Sequence, residues 1–371
     1  RLFLTGFRRL MVGDCKLTGR EPVMTNTKIK IKNLYKIFGS NPKNAMEYVR
    51  NGLSKQDLLE KHSHVLGLRD INIDISEKCI SVIMGLSGSG KSTLIRHINR
   101  LIEPTEGEVV IDGDDVLAMS AEELRDFRRN KASMVFQKFA LFPHRSVIQN
   151  AAYGLTIQKI PEKEAEERSQ HWIDRVGLSG FENHYPAQLS GGMQQRVGLA
   201  RALTTDAEIL LMDEAFSALD PLIRTDMQEI LLDLQSELNK TIVFITHDLD
   251  EALRIGDDIT ILRDGEIIQQ GSPQDIVMRP SNDYIADFIK DVNRSRVLLV
   301  RSIMVPADGE NGPKIGMNIP LEEALSQLSS KQAMEGSVVD SEGKVVGKLD
   351  LSTAIEAIRR PERSSNDLQY R

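Results

Sequence analysis

Polar and apolar residues alternate strictly through Lys28-Ile29-Lys30-Ile31-Lys32, the two-residue period of a strand with one dry face. A breaker cluster, Gly39-Ser40-Asn41-Pro42, follows. From Ala45 to His62 the spacing becomes that of a polar amphipathic helix pair around Gly52, and Val65 to Ile75 resumes strand character. Cys79 to Met84 is a short apolar run that fits a buried strand or a piece of helix; the glycine-rich stretch after it decides for a strand. Beyond Lys91 the two periods alternate. Strands are expected at Ala132–Phe136, Glu208–Asp213 and Thr241–Thr246, mostly helix over 146–188, and a helix from Pro221 to Leu238. Arg263-Asp264-Gly265-Glu266 between apolar runs reads as a hairpin turn. This order implies an α/β core with a largely parallel sheet. Apolar runs such as Ile209-Leu210-Leu211-Met212 have strand length, far short of the ~18–20 residues that cross a bilayer.

The chain has 371 residues, more than the ~250–300 at which a single core stops growing, so two domains are expected. Acidic side chains number 54 and basic ones 47, a net charge of -7 that argues against a general nucleic-acid binder. Residues 1–23 depart from this balance, with Arg1, Arg8, Arg9, Lys16 and Arg20 against Asp14 and Glu21. Arg8-Arg9 interrupts the apolar core that a secretory signal needs. That segment reads as an over-extended or disordered start, with Met24 as the true beginning. The charged run Glu162–Arg168 reads as a solvated helix face.

Gly85-Leu86-Ser87-Gly88-Ser89-Gly90-Lys91-Ser92 fits the phosphate-loop pattern GxxxxGK[ST], after an expected strand and before an expected helix from Thr93 to Asn99. Glycines let successive N–H groups face inward, and the helix adds its positive N-terminal end. Lys91 is placed to reach the β- and γ-phosphates of a nucleotide, and Ser92 to ligate Mg²⁺. Glu208-Ile209-Leu210-Leu211-Met212 ends in two carboxylates. In phosphate-loop proteins an acid at such a strand end holds Mg²⁺, which assigns Asp213. Glu214 projects one residue further and is the expected general base.

Leu189-Ser190-Gly191-Gly192-Met193-Gln194-Gln195-Arg196 precedes a helix expected from Val197 to Leu203. Ser190 reads as its N-cap, and the two glycines expose N–H groups. One nucleotide needs only one phosphate cradle. The simplest account is that this second anion site closes on a nucleotide held by another copy.

The same octapeptide resembles the signature motif of ABC-type ATPases, and the other motifs of that family follow in order over about residues 28–290. Gln137 matches the Q-loop, Ser217-Ala218-Leu219-Asp220 the D-loop and His247 the H-loop. The resemblance implies a P-loop ATPase domain with a mixed sheet over residues 24–290, with a helical subdomain over about 146–203. It further implies a homodimer that sandwiches two ATP molecules. Each ATP would contact Gly85, Leu86, Ser87, Gly88, Ser89, Gly90, Lys91, Ser92 and Thr93 of one copy. The other copy would supply Ser190, Gly191, Gly192, Gln194 and Asp220. Ser92, Gln137 and Asp213 would surround Mg²⁺. Glu214, His247 and Lys91 would be catalytic, and Phe38 would stack on adenine, with Tyr35 as the alternative.

Several segments resemble, more narrowly, the ATPases of glycine betaine/proline-type osmolyte importers. They are Ile83–Gly90, Asn99–Thr105, Met212–Thr225 and the insert Asn41–His64 with Gly52-Leu53-Ser54-Lys55. Such a subunit would bind peripherally at the cytoplasmic side of the inner membrane, on integral-membrane permease subunits served by a periplasmic or extracellular substrate-binding protein. Lys138-Phe139-Ala140-Leu141-Phe142-Pro143-His144 lies where the family docks its permease. The solute would be glycine betaine, proline, choline, carnitine or trimethylamine N-oxide. Residues 291–371 resemble at most one CBS-like α+β unit: Pro320–Leu325, Gly336–Asp340 and Gly343–Asp350, a regulatory or dimerisation region. The alternative function is a soluble regulatory ATPase with no permease.

Overall fold

The structure, a computed structural model, describes residues 26–359 apart from Lys138, Ala218 and Asp308. The expectation for residues 1–23 lies outside them. The first strand, β1 (Thr27–Phe38), runs beyond the alternating pentapeptide. Asn33 sits at φ +45°, and the pairing register shifts between Ile31 and Leu34. That bulge lets Ile29, Ile31, Leu34 and Ile37 all reach the interior. The insert then forms α1 (Pro42–Arg50) and α2 (Lys55–His62), with Ser54 capping α2 by accepting from the Asp57 N–H. The chain returns in β2 (Val65–Ser76), which pairs antiparallel with β1 and sets Phe38 opposite Val65. The insert therefore sits on the tip of a hairpin. It closes its own small core of Ile37, Ala45, Met46, Val49, Leu58 and Leu66.

β3 (Ile80–Met84) leads into α3 (Lys91–Ile98), and β4 (Glu106–Ile111) and β5 (Asp114–Asp115) complete a four-stranded sheet in the order β2-β1-β4-β5. After α4 (Ala121–Asn130) and β6 (Ala132–Val135) come four helices, α5 (Val147–Ala151), α6 (Tyr153–Ile157), α7 (Glu162–Arg175) and α8 (Gly191–Thr204). Helix was expected to continue to residue 188. It stops at Arg175 because Gly177 and Gly180 take φ of +71° and +87°. Conversely, α8 starts at Gly191 rather than Val197, because Ser190 caps there by accepting from Met193 N–H. The signature glycines thus form the first turn of the helix.

β7 (Ile209–Asp213), α9 (Pro221–Leu238), β8 (Thr241–Thr246), α10 (Leu249–Ile255), β9 (Asp258–Arg263) and β10 (Glu266–Gly271) finish this part. The hairpin turn between β9 and β10 has positive φ at both Asp264 and Gly265, the backbone of a type I′ turn. The second sheet has the order β10-β9-β3-β8-β7-β6, and β3, β6, β7, β8 and β9 run parallel. The main core joins Ile29, Ile73 and Val109 of the first sheet to Ile83, Leu211 and Val243 of the second, through Leu94, Ile95 and Ile98 of α3. Full burial contributes about 1.5–3 kcal/mol for each such side chain, so α3 and the loop that opens it rest on a firm seat.

The chain divides into two compact units at Gln270/Gly271. The sequence reading put this break at 290/291. It falls earlier because α11 (Pro273–Met278) and α12 (Asp283–Phe288) precede α13 (Arg294–Val297), which is fastened back to α11. Gln274 donates to Val297 O at 3.1 Å, and Arg294 to Val277 O at 3.0 Å. The second unit holds β11 (Lys314–Gly316), α14 (Leu321–Ser330), β12 (Glu335–Val339), β13 (Val345–Asp350) and α15 (Leu351–Ile358). Its three-stranded sheet closes on Ile315, Leu321, Leu328, Val338 and Leu349. Among the described residues, no helix is long and apolar enough to cross a membrane.

Candidate nucleotide site

In the parallel sheet Met84 lies opposite Thr246, Asp213 opposite Ile245, and Val135 opposite Met212. The residues that follow each strand therefore emerge at one edge: Gly85, His247, Glu214 and Phe136-Gln137. Carboxyl ends of parallel strands are where open α/β sheets bind ligands.

The phosphate loop is built for close backbone approach. A Cβ at Gly85 (φ +153°) would overlap the Leu262 carbonyl, and one at Gly90 (φ +105°) would lie 2.8 Å from Gly67 O. Leu86, Ser87 and Gly88 form an exposed crest, whereas Ser89 and Lys91 are buried, and Ser92 and Thr93 open the helix. Lys91 donates from Nζ to Gly85 O at 2.9 Å and to Leu86 O at 3.1 Å. Its ammonium is curled over its own loop.

Asp213 is only 1% exposed and accepts from Ser92 Oγ at 2.7 Å and from Arg96 Nη2 at 3.1 Å. An anion taken this far from water needs such partners. Hydroxyl and carboxylate oxygens side by side are the hard donors that Mg²⁺ takes, so the residues present fit that ion. Glu214 gathers the rest. Its Oε2 accepts from Gln137 Nε2 at 2.8 Å and lies 3.9 Å from His247 Nδ1, and its Oε1 lies 3.5 Å from Lys91 Nζ. Its backbone sits at φ +47°, a left-handed conformation costing a non-glycine residue about 1–3 kcal/mol. Glu214 N–H donating to Ile245 O (3.1 Å) and Ser217 Oγ donating to Glu214 O (2.9 Å) hold it there.

The signature and D-loop residues lie elsewhere in the same unit. Ser190 and Gly191 are exposed, and Gly192 packs on α9, where a Cβ would lie 2.9 Å from Ile223 Cγ2. Gln194 turns inward and donates to Pro186 O at 3.0 Å and Leu189 O at 3.3 Å, so it shapes the loop from behind. Asp220 caps α9 by accepting from Ile223 N–H at 3.1 Å. Phe38 is 40% exposed with Lys36 Nζ 4.9 Å from its ring centroid, whereas Tyr35 packs against the insert core.

Three supporting residues were missed in the sequence. Arg96, one turn after Ser92 on α3, was findable from that spacing. Arg224 donates to Leu219 O at 3.2 Å and Asp248 Oδ2 at 3.1 Å, linking the D-loop to the residue after His247. Glu251 is buried behind Thr246, and that burial raises its carboxyl above the usual range although Gln228 donates to it at 3.0 Å. A long-range contact of this kind leaves no local signal.

The ABC transporter family is matched over residues 68–217. The chain is 50% identical over 331 residues to the glycine betaine transport ATP-binding protein OpuAA of Bacillus subtilis (strain 168), across 88% of this chain and 79% of that protein. It is 46% identical over 342 residues to the glycine betaine/proline betaine transport system ATP-binding protein ProV of Escherichia coli (strain K12), across 90% of this chain and 84% of that protein. A solved dimeric structure of a bacterial ABC transporter cassette matches with a TM-score of 0.57 at 34% identity, over 66% of this chain and 98% of that one. With its phosphate loop, paired carboxylates and capped signature helix on one such fold, the chain belongs to the ABC transporter family as an ATP-binding subunit.

Proposed function

We propose that the chain hydrolyses ATP to power import of glycine betaine, proline or a related methylated amine. It acts as a homodimer on the cytoplasmic side of the membrane. It docks on permease subunits that receive solute from an external binding protein. The observation that carries the ATPase reading is the meeting of Lys91, Gln137 and His247 at the Glu214 carboxylate, beside the Ser92–Asp213 pair. The solute class rests on the two relatives, both named for betaine transport.

The N–H groups of residues 85–93 surround the phosphates, and Lys91 neutralises β- and γ-oxygens. Ser92, Asp213 and Gln137 offer oxygens for Mg²⁺, which when bound offsets charge on the transferring phosphate. Glu214 takes a proton from the attacking water as the new P–O bond forms and the bond to the bridging oxygen breaks. His247 and Lys91 stabilise charge on the γ-phosphate. Phe38 offers its exposed ring to adenine, and Ser190, Gly191 and Gly192 of the second copy close the site. The tail from 291 onward is read as a CBS-like regulatory or dimerisation region, supported by its helix, strand and hairpin order.

The test is coupling. Co-purified with its permease in lipid vesicles, the subunit should hydrolyse ATP faster when the binding protein and glycine betaine are supplied together. Hydrolysis indifferent to both would refute the transport assignment.

A further inference from the structure

The insert between β1 and β2 is longer than an ATPase hairpin needs, and nothing in the catalytic scheme uses it. Its α2 nevertheless reaches the phosphate loop. Lys55, the first residue of that helix, donates from Nζ to Gly88 O at 3.3 Å, with Asp264 Oδ1 4.0 Å away. The helix is held in place from below: Arg69 donates to Leu53 O at 2.6 Å and pairs with Glu266 at 3.0 Å.

Consider the carbonyls of the loop together. Gly85 O and Leu86 O accept from Lys91, and Ser89 O accepts from the Gly265 N–H at 3.0 Å. Gly88 O, on the exposed crest, has Lys55. In a trans peptide the C=O and the next N–H point in opposite directions. A donor on Gly88 O therefore fixes the plane of the Gly88–Ser89 peptide, whose N–H turns back across the loop and donates to Leu86 O at 3.2 Å, and the Lys55 charge adds to the field felt by an incoming polyphosphate.

We infer that Lys55 is a positioning residue, through which the insert pre-shapes the phosphate loop and strengthens its grip on nucleotide phosphates. This rests on residues 85–93 being the nucleotide cradle. Among the described residues Lys91 also bonds the loop through its ammonium, but acts from within it. Lys55 acts from outside and can be removed without touching the chemistry.

The experiment measures equilibrium binding of ATP, ADP and adenosine to the full chain carrying Glu214→Gln, with Lys55→Met, Lys55→Arg or Lys91→Ala added, alongside thermal unfolding. Lys55→Met should weaken ATP and ADP about 3–10-fold, the range of one ordinary net hydrogen bond at an exposed site, and leave adenosine binding and the melting temperature unchanged. Lys55→Arg should restore the loss. If Lys55→Met binds ATP like its parent while Lys91→Ala does not, the inference fails and the cradle stands. Equal weakening of adenosine, or a lowered melting temperature that Lys55→Arg does not rescue, would reduce Lys55 to a structural prop and overturn the inference. Full ATP affinity in Lys91→Ala would overturn the cradle and the inference together.

Discussion

Gln137 Nε2 donates to Glu214 Oε2 at 2.8 Å, so a loop residue at the exit of β6 grips the carboxylate at the exit of β7. The loop is itself tied down. Arg201 of α8 donates to Phe139 O at 3.0 Å and Ala140 O at 2.7 Å, and Asn150 of α5 donates to the carbonyls of Phe142, Arg145 and Ser146.

Replacing that carboxylate separates binding from chemistry. Glu214→Gln keeps the side chain's size and loses its ability to accept a proton. Phosphate release should fall by about 10²–10⁴-fold while calorimetric ATP binding persists. Turnover at the parental rate would assign the base elsewhere.

Phe38 and Tyr35 lie three residues apart and meet different surroundings. Phe38→Ala should weaken ATP binding by about 1–3 kcal/mol, the worth of one stacked base, with little change in melting temperature. Tyr35→Ala should instead lower the melting temperature, because that ring packs against the insert core. Nucleotide titration and thermal unfolding of both variants check this, and exchanged outcomes would exchange the roles.

Much of this was legible because the site is built from short contiguous motifs whose residues are delivered by the strand ends themselves. Pro221–Leu238 and Thr241–Thr246 matched the structure at both ends, since Asp220 and Pro221 mark one helix start and Asn239 at φ +50° its finish. The extent of β1 was not legible: its alternation breaks at the Asn33 bulge, and only pairing with β2 and β4 rescues Leu34 and Ile37 as inward residues. The role of Gln194 was also hidden. A glutamine in a signature motif reads as a ligand contact, whereas its hydrogen bonds to Pro186 and Leu189 are set by the packing of the preceding turn.

Ser190 and Gly191 are exposed and already satisfy their own helix start, which suits them to close on a nucleotide held by a second copy. In a Glu214→Gln background, Ser190→Arg should leave ATP binding to the single subunit intact and abolish ATP-driven dimers in light scattering. The arginine would thrust a bulky cation into the closing surface. ATP-dependent dimers of undiminished stability would mean that this turn does not face the partner's nucleotide.

His97 makes stability pH-dependent with a defined sign. It is fully buried on α3, with Nδ1 2.6 Å from Thr93 O. Burial is the dominant influence and lowers its pKa to about 4; the Thr93 carbonyl and Glu103 oppose this, while Lys36 assists it. An unfolded chain takes up this proton near the ordinary value of 6.5, but the folded one resists until about 4. Between those values the unfolded state binds more protons, so stability falls as pH falls and the contribution is constant above 6.5. Integrated over the window, the loss is about 3 kcal/mol. The buried Glu251 carboxyl, raised by desolvation, works in the opposite direction, because its folded form takes up a proton before the unfolded one. Comparing urea unfolding of the parent with His97→Gln from pH 7 to pH 4 isolates the histidine. The parent's curve should drop more steeply, and parallel curves would show that His97 does not carry the acid sensitivity.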